Sequence, residues 1–209
     1  MWYNVKWHKT EKGNRQAMTA FTQFTQLEFK ILDWFVRTFQ SDFLDSVMPI
    51  VSMLGNGGWI WILCAGILLI RKNTRKAGLS VAIALVMSYI LSDAILKPTL
   101  ARLRPYDLNP SLRLLIPPPK GFSFPSGHTQ ASFAAASAMG REHKWLGIGA
   151  TALACLIAFS RLYLSVHFVT DVLGGAAIGY CLGAAGNGIV RSLRYRYNAK
   201  RRKRRKQHA

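Results

Sequence analysis

The chain has 209 residues, 50% of them hydrophobic, yet it carries 28 Lys and Arg against 9 Asp and Glu, a formal net charge of +19. A soluble domain this short would need amphipathic surface to cover its apolar helices, and the sequence does not supply it. The apolar runs at 59–70 and 77–96 are instead bounded by Arg and Lys clusters, as in a small multi-pass membrane protein with its charge pushed into loops.

The first fifteen residues are polar and basic and lack the apolar core of a cleaved signal peptide. Residues 21–39 then place Phe21, Phe24, Leu27, Ile31, Trp34 and Phe35 mostly three or four apart, with Glu28, Lys30, Asp33 and Arg37 between them. That spacing predicts an amphipathic helix at the membrane interface rather than a span. Residues 41–54 predict a second, shorter helix, interrupted at Pro49 and closed by a turn at Gly55, Gly57 and Gly58.

The first span covers 59–70, extended backwards towards Val51, and is stopped by Arg71, Lys72, Arg75 and Lys76; a second covers 77–97. Residues 99–124 form a long loop rich in Pro and Arg, the length expected of a lid or binding segment. A third span opens at Ser126 and ends near Gly140. Its alanines and serines give weak hydropathy, which places it inside the bundle. A fourth span at 145–163 and a fifth at 168–190 complete the set, and in the last one Gly175, Gly179 and Gly183 form a ridge of small residues. Packing within the bundle is the first reading of that ridge and a homodimer contact the second.

The expected fold is therefore all-α, a multi-pass membrane helical bundle of about five spans plus an N-terminal amphipathic interfacial helix. Its expected organisation is a polar arm and interfacial helices at 1–50, a membrane domain at 51–190 and a basic tail at 191–209. Cys64, Cys155 and Cys181 lie in apolar stretches without paired spacing and are read as core packing, not as a disulfide frame or zinc site. The tail sequence KRRKRRK would suit nucleic acid, but topology explains it more cheaply, because Lys and Arg accumulate on the cytoplasmic side. No nucleic-acid partner is expected. Residues 71–76, 141–144 and the tail then share the cytoplasmic face of a cell membrane, leaving Lys97, the long loop, Arg161 and His167 at the outer face. The same count leaves the basic N-terminal segment outside.

This topology gathers three polar pieces at one end of the bundle. His167 and Asp171 are four apart at a helix start, so the carboxylate can hold one ring nitrogen and leave the other as a nucleophile. Ser126 and Gly127 open a helix after Pro125, where free N–H groups and the helix dipole favour an anion such as phosphate. Lys97, Arg104 and Arg161 can surround its oxygens, and His128 can give a proton to a departing oxygen. The nearby acids, Asp93, Asp107 and Asp171, are too few for a cage of metal ions, so neither metal nor cofactor is expected. Asp93, four before Lys97, is expected to pair with it as a buried structural ion pair.

The spacing Lys97-x6-Arg104-Pro105, then Pro125-Ser126-Gly127-His128, then Ser160-Arg161-x5-His167-x3-Asp171 resembles the three-part signature of the type-2 phosphatidic acid phosphatase superfamily of membrane lipid phosphatases. The resemblance covers about residues 51–190 and departs from the family's usual six spans before Val51. It implies a metal-free phosphatase with His167 as the nucleophile forming a phosphohistidine, Asp171 as its partner and His128 as the general acid. Lys97, Arg104, Ser126, Gly127, Ser160 and Arg161 would hold the phosphate. The implied partner is a phosphorylated membrane lipid: undecaprenyl diphosphate first, phosphatidylglycerol phosphate or phosphatidic acid as alternatives. Two other readings remain: a soluble vanadate-dependent haloperoxidase, which uses a similar anion pocket, and a non-catalytic membrane protein that binds anionic lipid.

Overall fold

The computed structural model describes residues 11–207, so the first ten residues of the expected N-terminal arm lie outside the described residues. Every regular element among the described residues is a helix: α1 (Glu11–Phe39), α2 (Asp42–Leu54), α3 (Trp59–Ile70), α4 (Arg75–Tyr89), α5 (Lys97–Leu100), α6 (Pro105–Leu108), α7 (Gly127–Glu142), α8 (Lys144–Tyr163) and α9 (Val169–Gln207). A short 3-10 turn, Asn56–Gly58, joins α2 to α3, and a π-helical stretch, Ile90–Leu96, carries α4 into α5.

Among the described residues, three helical segments are long and apolar enough to cross a membrane: Arg75–Leu108, Lys144–Tyr163 and Val169–Arg204. The pair Asp42–Leu54 and Asn56–Ile70, bent by 46°, makes a fourth if it counts as one broken span. The helix expected as another span, α7, has 16 residues and fails that test. It lies inside the bundle as its composition predicts, with Thr129, Gln130, Ser132 and Ala134 buried, packed on α4, α8 and α9.

The ridge on α9 is used up in that packing. A Cβ at Gly179 would stand 2.2 Å from the Gln130 carbonyl oxygen, and one at Gly183 2.4 Å from that of Ala134, so only glycine lets α9 lie against α7. That face of α9 is therefore not free for a second copy of the chain.

Helix α1 is amphipathic. Phe24, Leu27, Ile31 and Trp34 point away from the bundle, Trp34 being 62% exposed, whereas Glu28 is 2% exposed and Leu32 1%. The inward face is Glu28, Leu32 and Phe35, spaced by four and three, and the rings of Phe35 and of the more exposed Phe39 lie 4.9 and 5.2 Å from that of Phe159 on α8. Helix α2, capped by Ser41, runs through Pro49 instead of stopping there. The missing N–H costs one backbone bond, but Met48, Val51 and Ser52 around it are buried, and their packing keeps the helix continuous. Cys155 and Cys181 are exposed on the bundle's outer surface and only Cys64 is partly buried, which corrects their reading as core residues; all three are free.

The long loop is tied down rather than open. Ser123 donates its N–H to the Arg102 carbonyl at 2.8 Å, Arg104 Nε donates to the Gly121 carbonyl at 2.8 Å, and the Tyr106 hydroxyl donates to the Pro119 carbonyl.

Gly179→Val should lower the thermal unfolding midpoint of the detergent-solubilised protein, at a cost of about 1–3 kcal/mol typical of overpacking. Gly188→Ala, where a Cβ meets nothing within 4 Å, should not lower it.

Candidate active site

The chain enters the site through Ala101, whose φ of 44° and ψ of 35° end α5. The next residues are extended, so Arg102 and Arg104 turn to one side and Leu103 is exposed on the other. Arg104 is buried. Its Nη1 donates to the Val166 carbonyl at 3.1 Å and lies 3.2 Å from His167 Nε2.

His167, in the turn between α8 and α9, is 1% exposed. A guanidinium can only donate, so Nε2 facing Arg104 carries the lone pair and Nδ1 carries the proton. Nδ1 lies 3.3 Å from Ser123 Oγ and 3.5 Å from Asp171 Oδ2. The second distance is long for a hydrogen bond. Ser123 Oγ donates to Asp171 Oδ2 at 2.5 Å and can accept from the ring, so the expected direct histidine–aspartate contact is bridged by a serine. Asp171 is completely buried and saturated: Oδ2 also accepts the Phe168 N–H at 2.8 Å, and Oδ1 accepts Arg102 Nη1 at 2.6 Å. Burial pushes the His167 imidazole down to about 3, opposed by Asp171 and reinforced by Arg104 and Arg161, so it is neutral at physiological pH.

Arg161 is 1% exposed; Nη1 bonds the Ser52 hydroxyl, and among the described residues its Nε has no partner. Among the described residues no carboxylate comes within ion-pair distance of Arg104 or Arg161. Lys97 Nζ bonds Asp93 Oδ1 at 2.7 Å, but this pair is half open rather than buried, with side-chain exposures of 18% and 40%. A Cβ on Gly127 would stand 3.5 Å from that Nζ, which puts the N-terminus of α7 beside Lys97. Ser126 occupies the N-cap position without bonding the helix N–H groups; its own N–H donates to the Asp171 carbonyl at 3.1 Å, and its hydroxyl accepts from Thr129 Oγ1 at 3.0 Å. Ser160 is also buried, but its hydroxyl donates to the Ile157 carbonyl at 2.6 Å, away from the cations.

His128 completes the group. Its Nε2 is 2.8 Å from Asn56 Oδ1, and the charges of Arg161, Arg104 and Lys97 all act on it. The Asn56 turn is shaped for this contact: Gly57 and Gly58 have φ of 57° and 69°, and a Cβ on Gly55 would stand 2.6 Å from the His128 ring. Beside His128, Gly127, Lys97 and Asp93 lies a cavity of about 760 Å³, walled by Ile62, Ala65, Leu69, Leu85 and Val86 of α3 and α4. The two histidines and the cations thus gather at one end of the bundle, with the apolar chamber beside His128 and Lys97.

Residues 77–195 match the family model of the PAP2 superfamily, more than half of the chain. The chain belongs to that superfamily. Among PAP2 relatives, an undecaprenyl-diphosphatase from Sulfolobus acidocaldarius is 34% identical over 137 residues, 65% of this chain and 66% of that protein. Phosphatidylglycerophosphatase B from Bacillus subtilis is 32% identical over 154 residues, 66% of this chain and 71% of that protein. The chain thus spans about two thirds of the length of the Sulfolobus relative. Among solved PAP2 structures, the transmembrane phosphatidylglycerolphosphate phosphatase from Bacillus subtilis superposes with a TM-score of 0.67 at 26% identity, over 81% of this chain and 87% of that one. With its apolar helices, this PAP2 chain is a multi-pass membrane protein.

Ser123, Asn56, Arg102 and Glu28 complete the arrangement without standing in the three spaced motifs. Ser123 is the hydroxyl in the aromatic stretch FSF just before the second motif, and Arg102 lies inside the variable spacer of the first. Asn56 lies within the glycine turn between α2 and α3 and carries no motif.

In nitrogen-15 spectra of histidine-labelled protein, with His167→Gln for assignment, the His167 ring should stay neutral from pH 8 down to pH 5, well above its lowered value of about 3. A midpoint near the ordinary value of about 6.5 would mean that the ring is open to water.

Proposed function

We propose that this chain hydrolyses the phosphate ester or diphosphate of a membrane lipid through a phosphohistidine on His167. The observation that carries this reading is the pair of buried guanidiniums, Arg104 and Arg161, without a carboxylate partner among the described residues, Arg104 lying 3.2 Å from the unprotonated nitrogen of a neutral imidazole on which the charge of Arg161 also acts. Such cations call for an anion, and a neutral imidazole is the form that attacks phosphorus.

In this mechanism His167 Nε2 attacks phosphorus while Arg104, Arg161, Lys97 and the N-terminus of α7, at Ser126 and Gly127, take up the charge on the phosphate oxygens. Ser160 lends support through its buried place beside Arg161 rather than through its hydroxyl. Asp171, acting with Ser123, keeps the proton on Nδ1 and stabilises the ring as it becomes charged. His128 gives its proton to the leaving oxygen; as a base it then takes one from the water that cleaves the phosphorus–nitrogen bond and frees inorganic phosphate. The carboxylates support a reaction without metal ions, because Asp93 is paired with Lys97, Asp107 accepts the Arg104 N–H, and Asp171 is paired with Arg102.

The apolar chamber between α3 and α4 supports a lipid chain reaching the site sideways from the bilayer, and the charge pattern supports a site at the outer face with the C-terminal tail in the cytoplasm. Undecaprenyl diphosphate is the first substrate, in keeping with the undecaprenyl-diphosphatase from Sulfolobus that the chain resembles. Phosphatidylglycerol phosphate is the second, favoured by the Bacillus relative and the solved structure; phosphatidic acid is a further alternative.

Purified protein in detergent with excess EDTA should release phosphate from undecaprenyl diphosphate faster than from phosphatidylglycerol phosphate, and His167→Ala should abolish release. His128→Ala should lose about 10² to 10⁴ in rate. Ser123→Ala should lose about tenfold to a hundredfold, as expected for a buried hydrogen bond to a charged group. Dependence on metal, or activity retained in His167→Ala, would overturn the mechanism; no release from any lipid phosphate would favour a non-catalytic lipid-binding protein.

A further inference from the structure

Arg102 is the one site arginine that faces no substrate position. Its Nη1 divides between Asp171 Oδ1 at 2.6 Å and Thr170 Oγ1 at 2.7 Å, and its Nη2 pairs with Glu28 of α1. Glu28 Oε1 in turn accepts the Thr170 hydroxyl. The guanidinium also lies 4.7 Å from the Phe168 ring centre, and Phe29 meets that ring edge-on at 5.2 Å. Two adjacent residues of α1 therefore grip the turn that holds His167, one through charge and one through an aromatic contact.

A carboxylate that is 2% exposed must be compensated, and Arg102 with Thr170 compensates Glu28. The same arginine anchors the far oxygen of Asp171, which leaves Oδ2 aimed at Ser123 and the His167 side of the site. We propose that Glu28 and Arg102 are positioning residues for the phosphatase reaction, so that α1 acts as a strut setting the orientation of Asp171 and, through it, of the nucleophile. The inference rests on the lipid phosphatase reading above. Because Arg102 Nη1 and Nη2 are taken by Asp171, Thr170 and Glu28, its loss affects turnover rather than substrate binding.

The test measures kcat, KM and thermal unfolding of the full chain in detergent, using the faster of the two lipid substrates. Arg102→Met should lower kcat by about tenfold to a hundredfold, the range for losing a buried charge-assisted hydrogen bond, with KM within about threefold of wild type. It should also lower thermal stability, because Glu28 is left unpaired. Arg102→Lys should recover much of the lost kcat. The charge-balanced double variant Glu28→Gln with Arg102→Met separates the two effects: its unfolding midpoint should return towards wild type while kcat stays low. A folded double variant with wild-type kcat would overturn the proposal, as would an Arg102→Met defect confined to KM, which would make Arg102 a substrate contact. A wild-type protein that releases no phosphate overturns the phosphatase reading and this proposal with it, whereas an active wild type beside an equally active Arg102→Met overturns this proposal alone.

Discussion

Two arginines buried without a counter-ion among the described residues are expensive, and much of the structure at this end of the bundle is arranged to tolerate them. Arg104 spends its hydrogens on the carbonyls of Gly121 and Val166, and Arg161 leans on Ser52, so each guanidinium is held by neutral groups that leave its charge unspent. The one fully buried aspartate nearby does not neutralise them, because Arg102 already occupies it. The result is a positive pocket with a fixed geometry, the kind of environment in which a phosphoryl group is stabilised without reorganisation at the moment of reaction.

The bundle holds this pocket by close backbone packing. Helix α7 lies at the centre because α9 meets it with glycines, and the N–H of Ser126 bonds the Asp171 carbonyl just where the two helices start. That single contact joins the N-terminus of α7, beside Lys97, to the aspartate next to His167. Across the site the Asn56 turn supports His128, so the two histidines are carried by different elements and held by different partners. Helix α1 closes the arrangement by bringing a carboxylate to the far side of Arg102.

Much of this was legible in the chain. The apolar runs, the basic stops after them and the three spaced motifs are local patterns, and they led to the helical bundle and to Lys97, Arg104, His128, Arg161, His167 and Asp171 gathered at one end. The span count was less legible, because α7 is short and polar for a span and α2 continues through Pro49 into a bent partner. The burial of Glu28 was not legible, because the stripe of Phe24, Leu27, Ile31 and Trp34, which faces outward, is the more hydrophobic side of α1. In a protein surrounded by lipid that stripe turns outward, and the less apolar face turns in.

The sequence by itself determined which residue types were available and at what helical spacing, since periodicity and motif spacing depend only on neighbours along the chain. Tertiary structure decided the partnerships that cross between elements: Ser123 between His167 and Asp171, Asn56 against His128, Arg102 between Asp171 and Glu28, and Ser160 turned back to its own helix. The physical reason is that a buried polar group must find a partner wherever packing places one, and packing of distant segments leaves no mark in local spacing.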